Sequence, residues 1–297
     1  MSPWVRILIY LVAAPVIGCL LSGWDRRISA RMQSRQGPPI LQPLYDVLKL
    51  WEKQNVVVQR SQNLYIIFFT LLVIFTGALF FGGSDLLLVI FALTLAAIFF
   101  VLGAYKASSP YSFIGAEREL IQMMAYEPMI LLAAIGMYMV TKSFAVDDIA
   151  VHPKLLVLML PGIFIGFLYT LEIKFRKSPF DLSCSHHAHQ ELVRGITTEF
   201  SGRTLAMIEI AHWYENVFLL GWVYLFFASA PVMMVRIPEI GLTLSLLGVL
   251  ASLLVFVFVI LVDNVFARLK WQTAIRSAWI VAAVLGFGNI IVLSLMH

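Results

Sequence analysis

The feature that most constrains this chain is a succession of apolar runs, each about as long as a bilayer is thick. A helix needs roughly 20 mostly apolar residues to cross about 30 Å of hydrocarbon. Backbone polar groups find no water there, so such a run must be helical or part of a closed barrel. Runs of this length cover 4–21, 64–81, 86–104, 116–140, 155–171, 204–227, 240–262 and 277–296. The fourth carries Glu117, Arg118, Glu119 and Glu127. The fifth has Pro161 and Gly162 at mid-depth, where a kink is tolerated if neighbours satisfy the freed carbonyl. The expected fold is all-α: a polytopic membrane protein with eight transmembrane helices, residues 1–297 forming a single integral membrane domain.

Composition closes the alternatives. With 61% hydrophobic and 13% charged residues in 297, a water-soluble enzyme is excluded, because more than half of its exterior would have to face water. The 22 Phe, 7 Trp and 10 Tyr beside two Cys exclude disordered and disulfide-rich secreted classes. Cys19 and Cys184 belong to no CxxC pair, and two isolated thiols assemble neither an iron–sulfur cluster nor a structural zinc site. Any redox cofactor therefore belongs on another subunit, and Cys19, inside an apolar run, reads as a small buried hydrophobe. The first run is an anchor rather than a cleaved signal, since Trp24-Asp25-Arg26-Arg27 after it offers no small-residue cleavage site.

The net charge of +4 reports orientation rather than nucleic-acid binding. If the chain weaves eight times, 17 of its 21 Lys and Arg fall on one side and only Arg6, Lys142, Lys154 and Arg236 on the other. The basic side is expected to be cytoplasmic in the cell inner (cytoplasmic) membrane, with both termini outside.

Two long loops, 25–63 and 174–203, lie on that side, and long loops in compact domains are usually functional. In the first, Arg26, Arg27, Arg31 and Arg35 precede Gly37-Pro38-Pro39. Ile40, Leu41, Leu44, Tyr45, Val47, Leu48 and Trp51 then recur at helical spacing. This segment is too short and polar to span, and reads as a cytoplasmic-side amphipathic helix at the interface. It serves either attachment to anionic lipid or docking of a cytoplasmic subunit. The second loop holds His186, His187 and His189. Imidazole is a common metal ligand, but neighbouring residues on one segment do not all converge and no further ligand stands at a suitable spacing, so no metal site is assigned. Hydrogen bonding at a partner interface is the expected role.

The strongest chemical signal is the set of acids in or at the mouths of the runs: Glu117, Glu119, Glu127, Glu172, Glu209, Glu215 and Asp263. A charge at mid-bilayer costs about 2.5–3.5 kcal/mol even on the lenient insertion scale, so such residues face a cavity or a partner. Glu117 and Glu127 are separated by roughly 15 Å of helix axis, about half the membrane. Glu209, His212 and Glu215 are spaced by three and form a stripe on one helix face. An imidazole between two carboxylates can pass a proton near neutral pH. The bland alternative is a helix mouth with solvated acids and a structural histidine.

At these residues the sequence resembles the membrane subunit at the heel of respiratory complex I, the NADH dehydrogenase subunit 1 type, and its relatives in energy-converting nickel–iron hydrogenases. The pieces that carry the resemblance are Arg31-Met32-Gln33 with Arg35 and Gly37-Pro38, then Leu41-Gln42-Pro43-Leu44 with Asp46 and Leu48-Lys49-Leu50. Gly115 with Arg118, Gln122 and Tyr126-Glu127 follow, then Glu172, Pro179-Phe180-Asp181, Glu191-Leu192-Val193 with Gly195, and Thr198-Glu199-Phe200-Ser201-Gly202. They run in order across nearly the whole chain.

Within that family the chain looks most like the membrane-anchoring subunit of an Ech-type hydrogenase, in which reduced ferredoxin drives hydrogen evolution and ion translocation. The basis is Ser183 to Gln190, where quinone-reactive relatives carry a shorter, acid-rich stretch, and His212, where they usually have glutamate. The resemblance implies no cofactor on this chain, with a nickel–iron centre and iron–sulfur clusters on partners. Those partners are the hydrogenase large and small subunits, an iron–sulfur subunit and an antiporter-like membrane subunit. It places Glu127, Glu172, Asp181, Glu191 and Glu199 on a proton (or sodium) coupling path, and Arg118 as charge compensation. With Arg26, Arg27, Arg31 and Arg35 as docking residues, no residue is expected to be catalytic. The alternatives are a quinone-reactive complex I subunit, the equivalent subunit of a formate hydrogenlyase, a free-standing secondary transporter, and a purely structural anchor.

Overall fold

The computed structural model describes residues 2–56, 59–183, 192–228 and 238–296, with the side chains of 60, 238–245 and 296 outside the description. The described residues are nearly all helix and contain no strand, only an isolated antiparallel bridge between Asp85 and Ala145. The helices are α1 (Pro3–Met32), α2 (Gln42–Glu52), α3 (Arg60–Gly82), α4 (Leu86–Tyr105), α5 (Pro110–Thr141), α6 (Val146–Ala150), α7 (Leu156–Met159), α8 (Pro161–Lys174), α9 (Gly202–Phe227), α10 (Pro238–Val265), α11 (Trp271–Val281) and α12 (Gly288–Met296). A 3₁₀ turn, Gly195–Thr197, precedes α9, and a π-helical segment, Ala282–Phe287, joins α11 to α12.

Local chemistry sets the boundaries. Proline occupies the first turn of α1, α2, α5 and α8, where its missing N–H costs nothing. Gly83, with φ +85°, terminates α3, a conformation that glycine adopts without steric cost. Two residues on, the Asp85 carboxylate accepts from Leu87 N at 2.9 Å and starts α4.

Six helices are long and apolar enough to cross a membrane: α1, α3, α4, α5, the 246–265 part of α10 and the combined 271–295 segment. The expected eight spans are thus not all met by this measure. At 155–171, Pro161 removes a backbone donor and breaks the run into α7 and the 14-residue α8, which rises only about 21 Å. At 204–227, α9 is long enough at 26 residues but carries Arg203, Glu209, His212, Glu215 and Asn216 in its first half. The first long loop is also shorter than expected. α1 runs on to Met32, so Asp25, Arg26, Arg27 and Arg31 sit on a helix, there being no proline to stop it before Pro38.

α9 is the hub, packing against α1, α2, α3 and α10, while α5 packs against α4, α8 and α11. Trp222 and Phe226 of α9 meet Phe167 of α8 with ring centroids 5.3 and 5.5 Å apart. Apolar burial does not drive helices together in lipid, so close van der Waals fit must. Gly18 of α1 supplies it, for a Cβ there would lie 2.4 Å from the Trp213 carbonyl oxygen of α9. Cys19 beside it is buried with Val47, Ala206 and Trp213, as its apolar setting implied. α2 lies against α1 and α9, burying Pro43 and Val47 and exposing Leu41, Leu44, Tyr45, Leu48 and Trp51.

Candidate functional site

The segment that leaves α8 carries Lys174, Arg176 and Lys177, and each cation reaches an acid on a different part of the bundle. Lys174 Nζ donates to Glu215 Oε1 of α9 at 3.2 Å and lies 4.4 Å from the centre of the Tyr126 ring of α5. Arg176 donates to Glu119 Oε1 of α5 at 2.8 Å and also bonds His212 Nε2 of α9. An arginine can only donate, so His212 Nε2 is the acceptor in that bond. Ser183 Oγ donates to the other Glu119 oxygen. Lys177 Nζ lies between Asp25 of α1 at 2.5 Å and Asp263 of α10 at 3.3 Å.

Backbone bonds hold this segment in place. Ser178 N donates to Asp263 Oδ1 at 2.8 Å, Leu269 N to Pro179 O at 3.1 Å, and Gln122 Nε2 to Phe180 O. Arg268 Nη2 stands 3.8 Å from Asp181 Oδ2. Burying unpaired charges would cost several kcal/mol per ion, and this array pairs most of them.

The array encloses a cavity of about 240 Å³, with Asp25, Arg26, Lys177, Glu209, His212 and Asp263 among its lining. A second chamber, of about 10 Å³, lies between Glu119, Gln122 and Tyr126 of α5 and residues of α3 and α4. Among the described residues no group of three or more His, Cys, Asp or Glu is placed to hold a metal ion. His186, His187, His189, Cys184 and Glu191 lie outside the described residues.

The structure gathers some of the predicted acids and disperses others. Glu119, Glu209, His212, Glu215, Asp181 and Asp263 line the two cavities. Glu117 is exposed, and Glu199 is half-buried outside both cavity linings. Glu127 is half-buried, without a hydrogen bond or ion pair among the described residues. Glu172 is 4% exposed and neither of its carboxylate oxygens has a hydrogen-bond partner. Arg26 pairs with Asp46 of α2 at 2.6 Å, whereas Arg31 and Arg35 are exposed and Arg27 is half-buried. The Arg118 guanidinium stacks 4.9 Å from the centre of the Trp271 ring.

Two charges outside the spans show the electrostatic balance. Burial works against the Lys177 ammonium, but the Asp25 and Asp263 carboxylates outweigh it and hold its pKa above the ordinary lysine value. Burial likewise pushes the Asp46 carboxyl up, yet hydrogen bonds from Arg26 and Gln42 bring it net below the usual carboxylate range.

A family model described as NADH dehydrogenase matches residues 5–294. The chain belongs to this family. The NADH dehydrogenase family relatives include Hydrogenase-4 component C of Escherichia coli (strain K12), 29% identical over 92% of this chain and 92% of that protein. A membrane subunit of the NADH-quinone oxidoreductase of Dehalococcoides mccartyi is 25% identical over 97% of this chain and 86% of that protein. Among solved structures, a chain of the membrane-bound sulfane sulfur reductase, an archaeal respiratory membrane complex, shares the fold. Its TM-score is 0.83 at 24% identity, covering 97% of this chain and 100% of that one. The resemblance drawn from the motifs is borne out, and the chain is a multi-pass membrane protein of the NADH dehydrogenase family.

Lys174, Arg176, Lys177, Arg268 and Tyr126 are residues of this family member's site that its sequence does not single out. The three cations 174, 176 and 177 stand directly after an apolar run and look like orientation-setting loop charges. The available signal is the uncompensated row of acids, which a bilayer does not tolerate without bases close by.

Proposed function

We propose that this chain is the membrane subunit of a ferredoxin-linked energy-converting hydrogenase complex. It anchors a hydrophilic nickel–iron and iron–sulfur module and couples its redox reaction to proton or sodium translocation. The observation that carries the reading is the continuous array Glu215–Lys174, His212–Arg176–Glu119 and Asp25–Lys177–Asp263, which crosses four helices around an ionisable cavity. Electron arrival at a nearby centre shifts the proton affinities of the loop acids, and the paired charges rearrange to pass a proton toward Glu127 and on to an antiporter-like partner. All eight runs cross the inner membrane, α9 and α8 being shielded from lipid by their neighbours, with the long loops cytoplasmic and both termini outside. α2 lies in the interface with Leu44, Leu48 and Trp51 toward lipid, and Arg26, Arg27, Arg31 and Arg35 meet the hydrophilic subunits.

The redox centres sit on the large, small and iron–sulfur subunits, and this chain holds none. The kinship with Hydrogenase-4 component C supports a hydrogenase complex. A quinone-reactive subunit is the second reading, favoured by the likeness to the NADH-quinone oxidoreductase of Dehalococcoides mccartyi. The cavity argues against it: apolar ligands are bound in mostly apolar pockets, and this one is lined chiefly by charged side chains.

The test is Glu127→Gln in the intact complex in proteoliposomes, with hydrogen evolution and ferredoxin-driven ion uptake measured together. Loss of ion uptake is the expected result. If both rates match the parent, the coupling role assigned to the acids is wrong. Co-purification of a nickel–iron large subunit without bound quinone separates the first reading from the second.

A further inference from the structure

The two cavities meet at one partition. Lys174, Arg176 and Glu215 belong to the walls of both the 240 Å³ cavity and the 10 Å³ chamber. The chamber is about the size that holds a single water. A proton entering from the larger cavity reaches α5 only past these three side chains or through them.

We propose that Lys174 is the proton carrier across this partition; the inference rests on the coupling function above. Its ammonium contacts Glu215, which lines the cavity, and the ring of Tyr126, which lines the chamber. Its side chain is 6% exposed and that of Glu215 10%, so water does not bypass the pair. The other cation in the wall, Arg176, is committed to Glu119 and His212. A guanidinium does not release its proton in a protein, whereas a buried lysine does so readily. The charged and titratable groups facing Lys174 are Glu215 and His212 from α9, Glu119 and Tyr126 from α5, and Arg176 from its own segment.

The transfer begins when the Glu215 carboxylate takes a proton from the cavity, forming an O–H bond and removing the negative member of the ion pair. Lys174 then gives one N–H proton, through the chamber water, to a Glu119 oxygen. The Glu215 O–H returns a proton to the neutral amine and restores the ion pair. One proton has moved from the cavity to α5, and only Glu119 has changed.

Two variants of the intact complex test this in proteoliposomes, with a pH-sensitive dye reporting proton uptake per electron transferred. Lys174→Arg keeps the charge and the ion pair but not the exchangeable proton. Glu215→Gln keeps the shape and removes the point of entry. Both are expected to assemble, as judged by co-purification, and to lower proton uptake by at least about a hundredfold. A purely structural ion pair would tolerate arginine, so parental uptake by Lys174→Arg overturns the proposal. Should that variant fail to assemble, parental uptake by Glu215→Gln overturns it equally. Failure of the underlying coupling reading is distinguishable, because it is signalled by unimpaired Glu127→Gln. If Glu127→Gln is impaired while Lys174→Arg pumps normally, only the carrier role is lost.

Discussion

Arg176 donates to Glu119 at 2.8 Å with the two side chains only 16% and 7% exposed, and this bond ties the segment after α8 to α5. Removing the arginine leaves a buried, uncompensated carboxylate. Arg176→Met is therefore expected to destabilise the subunit by about 3–5 kcal/mol. The double variant Arg176→Met with Glu119→Met should recover most of that loss, since apolar replacement of a whole buried pair is often neutral. Thermal unfolding of the purified complex checks both. A double variant melting as low as the single one would mean the pair is not the source of the cost.

Glu172 presents the opposite case, a buried carboxyl with no hydrogen-bond partner for either oxygen. An unsatisfied buried polar group costs about 1–3 kcal/mol, so Glu172→Met should raise the unfolding temperature while impairing ion uptake. Such a trade of stability for function is expected where a group is kept for chemistry. A lower melting temperature in the variant would show that Glu172 is structurally supported.

Toward the other end of α1, Arg6 grips Asp147 of α6 through two bonds of 2.5 and 2.7 Å. The Arg6 hydrogen bond holds the Asp147 carboxyl below its ordinary value, against the opposing effect of burial. A depressed carboxylate stabilises the fold above its unfolded pKa, near 3.9, and that contribution is lost as pH falls through the lower folded value. The Asp147 side chain is 47% exposed, so solvent screening limits the effect to about 0.5 kcal/mol. Between about pH 5 and about pH 3, a window that brackets the reference value, melting temperature should fall less steeply for Asp147→Asn than for the parent. Identical slopes would remove the pair from the acid response.

The apolar runs are legible in the sequence because membrane crossing demands length and hydropathy, both one-dimensional properties. The acids are legible for the complementary reason, that lipid penalises them. Which of them share a site is not. Glu117 and Glu119 are two residues apart and look equivalent in sequence, but a helix turns about 200° over that interval. One is exposed, and the other is buried against Arg176 and Ser183. Lys174, Arg176 and Lys177 are hidden more deeply, because a cation after an apolar run reads the same whether it faces water or folds back. Its role depends on α5, α9 and α10 converging on one segment, a three-dimensional fact. Pro161 reads as a tolerated kink, yet its effect is larger: it leaves α8 only 14 residues long and so sets where Lys174 emerges.

That convergence depends on how closely α1 approaches α9. At Gly18 a Cβ would lie 2.4 Å from the Trp213 carbonyl oxygen and 2.7 Å from its Cα, both backbone atoms that no side-chain rotation can move aside. Gly18→Ala must therefore push the helices apart. Asp25 lies seven residues further along α1, two helical turns down, and it shares Lys177 with Asp263. Displacing α1 loosens the Lys177 clasp as well as the packing. Overpacking costs about 1–3 kcal/mol, and Gly18→Ala is expected to reach the upper part of that range. If the clasp is coupled to the packing, Asp25→Asn should cost less in the Gly18→Ala background than in the parent. Strictly additive losses in a double-mutant cycle would mean that the two contacts are independent.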